Sequence, residues 1–576
     1  MISNVEIANL FEEMADLLEL SGENAFRIRA YRNGAKAIAE MSDSAATWVR
    51  EERDLTSVEG IGETLAEKTK VIVETGHLPQ LEKLRAAVPA SLRSIMAIPG
   101  LGAKKAMKLF QELGVQDLAG LRSACESGLV ANLKGFGEKT QTSILANMQI
   151  AEKAATRILS DAAETLVQHI RKHMSQCPTL ERIEFAGSYR RGKESVGDLD
   201  VLVTSVDPTA VMDHFGKLSM IHEVIQRGDT KMSVRVQDSF QVDLRVVDDA
   251  SWGAALQYFT GSKEHNVRIR SMAKAKRYKI NEYGVFTTAD GAHRVAGANE
   301  EEIYRLLDLP WIPPELREDR LEFEPDSNKT IQQLIELGDV RGDLHMHTHA
   351  TDGENSIEEM VEAAKQRGLC YIAITDHSKR VSMARGLDEN RLREQWKTID
   401  AINRNSDGTF WIFKGVECDI LENGKMDLAD DCLAEADWVI GSIHYGQKQP
   451  RAQITERILN AIHHPHVHMI GHPTGRLIGR REPYDVDLEQ VMSAAVEKGK
   501  VLELNANPHR LDLNDLHTTT AVRLGITIAI DTDAHSTQSL DLMKFGVRQA
   551  RRAGVRASQV LNTLSLSDIR PRLGVR

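Results

Sequence analysis

Two groups of residues in this chain could hold divalent cations, and they differ in chemistry. The first lies in GSYRRGKESVGDLDVLV, from Gly187 to Val203. Asp198 and Asp200 are two apart, so on a strand both carboxylates point to one side, and Asp243 in the separate stretch VDLRVV can join them. Three carboxylates on one surface repel each other unless a cation sits among them. Two Mg²⁺ ions roughly 3.5–4 Å apart would do this, one activating an attacking hydroxyl and the other stabilising the leaving oxygen of an in-line displacement. Upstream, Gly187 and Ser188 predict a tight turn whose hydroxyl and N–H can meet a phosphate, and Arg191 adds a forked cationic donor. A DxD alone is common in turns; the whole run is far more specific.

The second group is built on histidine. His345 and His347 in DLHMHTHATDG place two imidazoles on one face of a strand, Asp352 follows in the loop, and Asp533 and His535 in AIDTDAHS repeat the i, i+2 spacing. Between them His377, Glu417, His444 and His472 each follow an apolar, strand-like run. In a βα barrel such strand ends converge on one rim. Imidazole and carboxylate without thiolate suit Zn²⁺, Mn²⁺ or Fe, and so many ligands predict more than one ion, with Glu417 able to bridge.

These side chains need elements to place them. Residues 1 to about 155 read as helical hairpins, with leucine and alanine at three- and four-residue spacing and short glycine turns between. From about Arg182, stretches such as IEFAG, DLDVLVTS and FQVDLRVV read as strands of a mixed α/β domain. Prolines and charges in LPWIPPELRED suggest a boundary, and beyond Asp339 apolar strands alternate with helices, as in a βα barrel. A chain of 576 residues is expected to fold as several domains.

Three turns in the helical region repeat one design. Gly60-Ile61-Gly62, Gly100-Leu101-Gly102 and Gly135-Phe136-Gly137 each set an apolar residue between two glycines at the start of a helix. They resemble helix-hairpin-helix motifs, in which a phosphate approaches backbone N–H groups at a helix N-terminus without sequence being read. One GxG is equally a glycine C-cap; three in one region favour DNA. The second carries Lys104, Lys105 and Lys108 at the right end.

The net charge of −12 would argue against nucleic acid only if cations were unclustered. They cluster between Lys263 and Lys279, where Lys263, Arg268, Arg270, Lys274, Lys276, Arg277 and Lys279 face one acid, Glu264, either for phosphate contacts or as a solvated helix face. Five scattered cysteines without a CxxC pair argue against a disulfide framework and a thiolate zinc site and fit a cytoplasmic protein. No basic flank precedes an apolar run at the N-terminus, and no stretch approaches the roughly 18 apolar residues of a bilayer span, so secretion and membrane insertion are not expected.

The run GSxRRGK, three residues, then GDLD resembles the nucleotidyltransferase signature of family X DNA polymerases, the group containing DNA polymerase beta, and the resemblance covers roughly residues 1–320. It implies that Asp198, Asp200 and Asp243 bind two catalytic Mg²⁺ ions and that Gly187, Ser188 and Arg191 bind the incoming triphosphate. Tyr258-Phe259-Thr260-Gly261-Ser262 matches the family's YFTGS segment, giving Tyr258, Phe259 and Gly261 nucleotide contacts, and Asn266 falls where a minor-groove contact is expected. Lys263 departs from the acidic residue of the animal enzyme. In the N-terminal segment Lys68 matches the Schiff-base lysine of the family's abasic-site lyase, and Tyr31 and Arg27 match parts of its 5′-phosphate pocket. Phe26 and Thr64 replace polar-basic positions there, so lyase activity stays open between a reactive Lys68 and a surface helix lysine.

The C-terminal part resembles the polymerase and histidinol phosphatase (PHP) domains. His345, His347, Asp352, His377, Glu417, His444, His472, Asp533 and His535 fill that family's metal pattern without a gap, whereas His349, His463, His464, His466 and His468 fall outside it. Lys379, Arg385 and Arg510 are candidate phosphate contacts. The resemblance implies a helical lyase-like domain over 1–90, a fingers-like subdomain over 91–155, a palm over 156–255, a thumb over 256–320, a linker over 321–338 and a distorted PHP-type barrel over 339–576. The function implied is a monomeric DNA polymerase acting on gapped or primed DNA and deoxynucleoside triphosphates. It fills gaps in base excision or end-joining repair, and its barrel, loaded with several Mn²⁺ or Zn²⁺ ions, acts as a 3′-5′ exonuclease, 3′-end processor or abasic-site endonuclease. The rival expectations are a purely structural barrel, a DNA-binding repair scaffold and a small-molecule nucleotidyltransferase.

Overall fold

A computed structural model describes residues 4–39, 45–58, 60–89, 91–96, 98, 101–145, 157–236, 240–288 and 293–575. The chain divides into two compact units, 1–156 and 157–576. Among the described residues no helix is long and apolar enough to cross a membrane.

The first unit is helical. Asn4–Leu20 and Ala25–Ala39 form a hairpin whose buried Ile7, Phe11, Met14 and Leu18 meet Tyr31, Ala35 and Ile38, the i, i+3/i+4 stripe that an amphipathic helix must cover. Gly62 and Gly102 are extended N-caps of the helices Glu63–Thr75 and Ala103–Leu113. Gly60, Gly135 and Gly137 have positive φ, at 95°, 94° and 106°, which accounts for glycine there. A side chain at Gly60 would also stand 3.3 Å from Ala37 Cβ. Gly100 lies outside the described residues. Lys108 donates to the Lys134 carbonyl at 2.6 Å, and the Lys105 ammonium stands 5.7 Å from the Phe136 ring centre, so the second hairpin carries the third turn.

The second unit begins with a five-stranded sheet, β1 (Leu180–Phe185), β2 (Asp198–Ser205), β3 (Glu223–Arg227), β4 (Lys231–Arg235) and β5 (Gln241–Val246), in the order β1-β2-β5-β4-β3. Only β2 and β5 run parallel, and their register sets Asp200 opposite Asp243. Leu199, Val201 and Val203 bury the other face of β2 under the helix Ser160–Met174. The helices Trp252–Thr260 and Lys263–Ala275 follow, then an antiparallel sheet of β6 (Tyr278–Asn281), β7 (Gly284–Thr287) and β8 (Arg294–Ala296).

Seven parallel strands then stand side by side in chain order: β9 (Gly342–Asp343), β10 (Tyr371–Ile374), β11 (Trp411–Asp419), β12 (Trp438–Ser442), β13 (Met469–Ile470), β14 (Val501–Asn505) and β15 (Ile528–Asp531). A parallel bridge between Met346 and Ala534 joins the two ends, so the sheet nearly closes into a barrel. Alternation along the strands sorts the side chains. Ile372, Ile374, Val439, Leu502, Leu504, Ile528 and Ile530 pack among the surrounding helices. Tyr371, Ala373, Phe413, Trp438, Ile440, Val501 and Ala529 form a second buried cluster, sealed by Leu561 and Ile569 near the C-terminus. The inward file continues upward as Glu417, Glu503 and Asp531, so the strand period that builds the core also delivers carboxylates to one rim.

Candidate functional site

In the palm, Asp198 and Asp200 share one face of β2 and Asp243 stands beside Asp200 on β5. Burial, then the neighbouring Asp198 and Asp243 carboxylates, push Asp200 up to about 7. Asp198 is raised by burial and by Asp243, against the pull of Arg157 and Arg191. Crowded carboxylates that hold their protons this tightly are the donor set a hard divalent cation relieves. Asp243 accepts from Gln241 Nε2 at 3.0 Å and has Lys231 Nζ at 3.5 Å.

The phosphate turn is a short helix, Gly187–Arg190. Gly187 has φ +64°, and a Cβ there would stand 2.7 Å from Asp200 Oδ2, so glycine is required on both counts. Arg190 lays both terminal nitrogens on Glu300 at 2.8 and 2.9 Å and bonds Thr260 Oγ1. Arg191 bonds Glu318 Oε1 at 3.1 Å and the Thr260 carbonyl at 2.5 Å. The Tyr258 and Phe259 rings meet edge to face at 5.1 Å, and Asn266 Nδ2 donates to the Tyr258 carbonyl at 2.8 Å. Gly261 has positive φ and lies against Arg191. The structure therefore brings the turn, YFTGS and the three aspartates together. On the helix Lys263–Ala275, Lys263, Arg268, Arg270 and Lys274 are exposed while His265, Ile269 and Ala273 are buried; Lys263, Arg270 and Lys274 share an outer face, and Arg268 lies over the Phe323 ring.

In the first unit Lys68 Nζ lies 2.6 Å from the Tyr31 hydroxyl. Arg27 is paired with Glu23, and Phe26 is largely exposed.

The barrel rim gathers all nine residues singled out above. Three sets have ligand atoms within 4.8 Å of one another: His347, Asp352, His377 and His535; His345, His347 and Asp533; and His377, Glu417 and His444. Among the described residues such sets occur only here. His472 joins through Nε2, 3.0 Å from Glu417 Oε1. Glu417 sits at the centre, with Oε2 facing His345 at 3.5 Å and His377 at 2.8 Å and Oε1 facing His444 at 3.3 Å. Both strand ends pay in conformation, His472 and Asp533 having φ of 27° and 52°.

The donor atoms fit metal. Nε2 of His345, Nδ1 of His347 and Oδ1 of Asp352 are buried without a hydrogen-bond partner, a costly arrangement unless something else satisfies them, and His377 Nδ1 and Glu417 Oε2 have only each other at 2.8 Å. His347 and His377 stack at 4.3 Å, as do His347 and His535. Burial, reinforced by the His377 and His535 rings, pushes His347 down to about 4, whereas neighbouring carboxylates raise His345, His377, His444 and His535 against the effect of burial. Burial opposes ionisation of Glu417, yet His444, His377 and His345 hold it well below the usual carboxylate range.

Sequence reasoning missed the layer behind these ligands. Glu503 Oε1 lies 2.7 Å from His345 Nδ1 and accepts the His472 N–H with its other oxygen. Asp419 takes both the N–H and the Nδ1 of His444, at 3.0 and 3.2 Å. Such carboxylates fix the ring tautomer and turn Nε2 toward the site. Asp376 binds Thr348 and Gln395 and so sets the loop leading to Asp352. The signal was present, since Asp419 and Glu503 lie in the inward file of their strands. Of the candidate phosphate contacts, Arg510 Nε stands 3.7 Å from Asp533, Arg385 donates to the His349 and Thr351 carbonyls, and Lys379 is paired with Glu389. His468 stacks on Trp438, and His464 pairs with Asp430, away from the rim.

Fold and site together define a nucleotidyltransferase palm joined to a multi-ligand barrel of the phosphoesterase kind. Family models match in the same places: a helix-hairpin-helix domain at 2–78, a SAM-like helix-hairpin-helix tandem at 52–105 and 92–147, a DNA polymerase beta palm at 157–277, a DNA polymerase beta thumb at 255–318 and a PHP domain at 343–507. The chain is 42% identical over 566 residues, 98% of both chains, to a DNA polymerase/3′-5′ exonuclease PolX of Bacillus subtilis (strain 168). It is 26% identical over 342 residues to DNA polymerase lambda of Rattus norvegicus, covering 55% of this chain and 56% of that one. A probable phosphatase of Thermoanaerobacter sp. (strain X514) is 30% identical over 234 residues, 38% of this chain and 90% of its own. The chain therefore belongs to family X of the DNA polymerases, in the form that carries a C-terminal PHP domain.

Proposed function

We propose that this chain fills short gaps in DNA during repair and trims 3′ ends with its barrel, the two reactions using separate metal sites. Asp198, Asp200 and Asp243 would hold Mg²⁺, and His345, His347, Asp352, His377, Glu417, His444, His472, Asp533 and His535 would hold Mn²⁺ or Zn²⁺. When bound, such ions supply Lewis-acid stabilisation of an in-line displacement at phosphorus.

The protein's own groups do the positioning. Ser188 and Arg191 offer donors to a triphosphate at a turn that Gly187 keeps open against Asp200. Asn266, tied to the Tyr258 carbonyl, stands beside the nucleotide segment, and the exposed cations of Lys263–Ala275 give a backbone-binding face that reads no sequence. Gly60, Gly62, Gly102, Lys104, Gly135 and Gly137, with Gly100, would hold the duplex through backbone N–H groups. In the barrel, Glu503 and Asp419 orient imidazoles, and Arg510 and Arg385 flank the rim. The single observation that carries the two-site reading is the set of buried, unpartnered ligand atoms around Glu417, which a structural barrel would have no reason to keep.

The lyase reading rests on the 2.6 Å contact between Lys68 and Tyr31; borohydride trapping on a 5′-abasic end, lost in Lys68→Ala, would establish it. The protein would act in the cytoplasm as a monomer.

The test is an end-labelled primer on gapped DNA, with Mg²⁺ or Mn²⁺ and with or without nucleotides. Nucleotide-dependent lengthening together with Mn²⁺-dependent shortening supports the proposal. Lengthening alone favours a structural barrel, and neither activity favours a DNA-binding scaffold.

A further inference from the structure

The phosphate turn of the palm is held from behind by the barrel. Arg552, at the end of the barrel helix Met543–Arg552, is 1% exposed, and its guanidinium reaches three parts of the unit. Nη1 donates to the Arg191 carbonyl at 2.7 Å and to Glu318 Oε1 at 2.9 Å, and Nη2 donates to Asp515 Oδ2 at 2.8 Å. Glu318 Oε1 in turn accepts from Arg191 Nε at 3.1 Å and lies 3.2 Å from Lys193 Nζ. One carboxylate oxygen thus gathers the barrel arginine and two cations of the turn.

The contact continues on both sides. A Cβ at Gly192 would touch Arg548 at 3.5 Å and Arg552 at 3.7 Å, so the turn lies flat against the barrel helix. Tyr189 bonds Glu164, which Arg548 holds at 3.0 Å. Glu194 is bonded by Arg476 of the barrel at 2.7 Å. Arg191 is therefore fixed through its carbonyl by Arg552 and through its Nε by Glu318, while its charge is felt by Asp198.

We propose that Arg552 and Glu318 are positioning residues for the incoming nucleotide: they hold Arg191 in the pose that receives the triphosphate, so that the barrel contributes to nucleotide affinity. This rests on the reading of Arg191 as a triphosphate ligand. A buried guanidinium bonded to a main-chain oxygen and a shared carboxylate fixes a side chain far more tightly than a surface pair does. Preorganising a binding group in this way lowers the cost of binding.

The experiment measures KM and kcat for nucleotide addition on gapped DNA by the full chain, and the nucleotide Kd on a dideoxy-terminated primer. The variants are Arg552→Ala, Arg552→Lys, Glu318→Gln and, as reference, Arg191→Ala. The expected result is an increase of about tenfold in KM and Kd for Arg552→Ala, a smaller one for Glu318→Gln and partial recovery in Arg552→Lys, with kcat and gapped-DNA affinity little changed. A merely structural role would lower the active fraction, hence kcat, and leave KM alone; that result overturns the proposal. If Arg191→Ala raises KM while the Arg552 and Glu318 variants do not, the positioning role fails and the reading of Arg191 survives. If Arg191→Ala itself leaves KM and Kd unchanged, the reading of Arg191 falls and takes the proposal with it. Should Arg552→Ala fail to fold, Arg552→Lys and Glu318→Gln decide by the same split.

Discussion

Gly187→Ala should silence nucleotide addition through a single methyl group. Gly187 has φ +64°, a conformation that costs an L-residue about 1–2 kcal/mol. The added Cβ would stand 2.7 Å from Asp200 Oδ2, and ordinary contact begins near 3.4 Å. Either the carboxylate or the turn must yield by about 0.7 Å, the difference between those two distances. Displacements of about 1 Å in a reacting constellation cost on the order of a hundredfold in rate, about 3 kcal/mol of transition-state stabilisation. Single-turnover extension of a gapped primer should therefore fall by about two orders of magnitude. Hydrolysis of the 3′ end should stay at the parent level, because the barrel ligands lie elsewhere. Extension within threefold of the parent would refute the reasoning, since it would mean that Asp200 and the turn need not keep their present distance.

Three other outcomes follow from the same geometry. Glu300→Gln leaves the fully buried Arg317 and its neighbour Arg190 without their shared carboxylate, so urea unfolding should show a loss of about 3–5 kcal/mol; a loss under 1 kcal/mol would contradict it. Glu318 is held at about 2 against an ordinary 4.5 by Arg552, Arg191 and Lys193, although burial opposes this. Because its folded value is depressed, its contribution, about 3 kcal/mol, is full above pH 4.5 and lost as pH falls toward 2. The stability gap between the parent chain and Glu318→Gln should close over that window, and a gap independent of pH would sink the assignment. Finally, after chelator treatment, Mn²⁺ at about a hundred times its Kd should stabilise the chain by about 2.7 kcal/mol. An equal melting shift in His345→Ala with His347→Ala would place the ion elsewhere.

The chemistry of both sites was legible because each rests on a short-range spacing. Asp198 and Asp200 share a face through the strand period, and His377, His444, His472 and His535 each follow an apolar run that becomes a strand. Asp419 and Glu503 obey the same period, but a carboxylate in a strand reads as the partner that orients a ligand only once its neighbour is known to be an imidazole. The register that sets Asp243 beside Asp200 is not written in any local spacing, since sequence does not say which strands pair. The node at Glu318 was invisible: Arg552 and the Arg191 carbonyl are 361 residues apart, and arginines on an amphipathic helix look like a solvated face until a second domain covers them.

The central claim, two independent metal sites in one chain, is tested most directly by a cross of two double variants. Lengthening and shortening of an end-labelled primer on gapped DNA would be followed for Asp198→Ala with Asp200→Ala, and for His345→Ala with His347→Ala. The account predicts that the first loses lengthening and keeps shortening, and that the second does the reverse. Loss of both activities in either variant would contradict it.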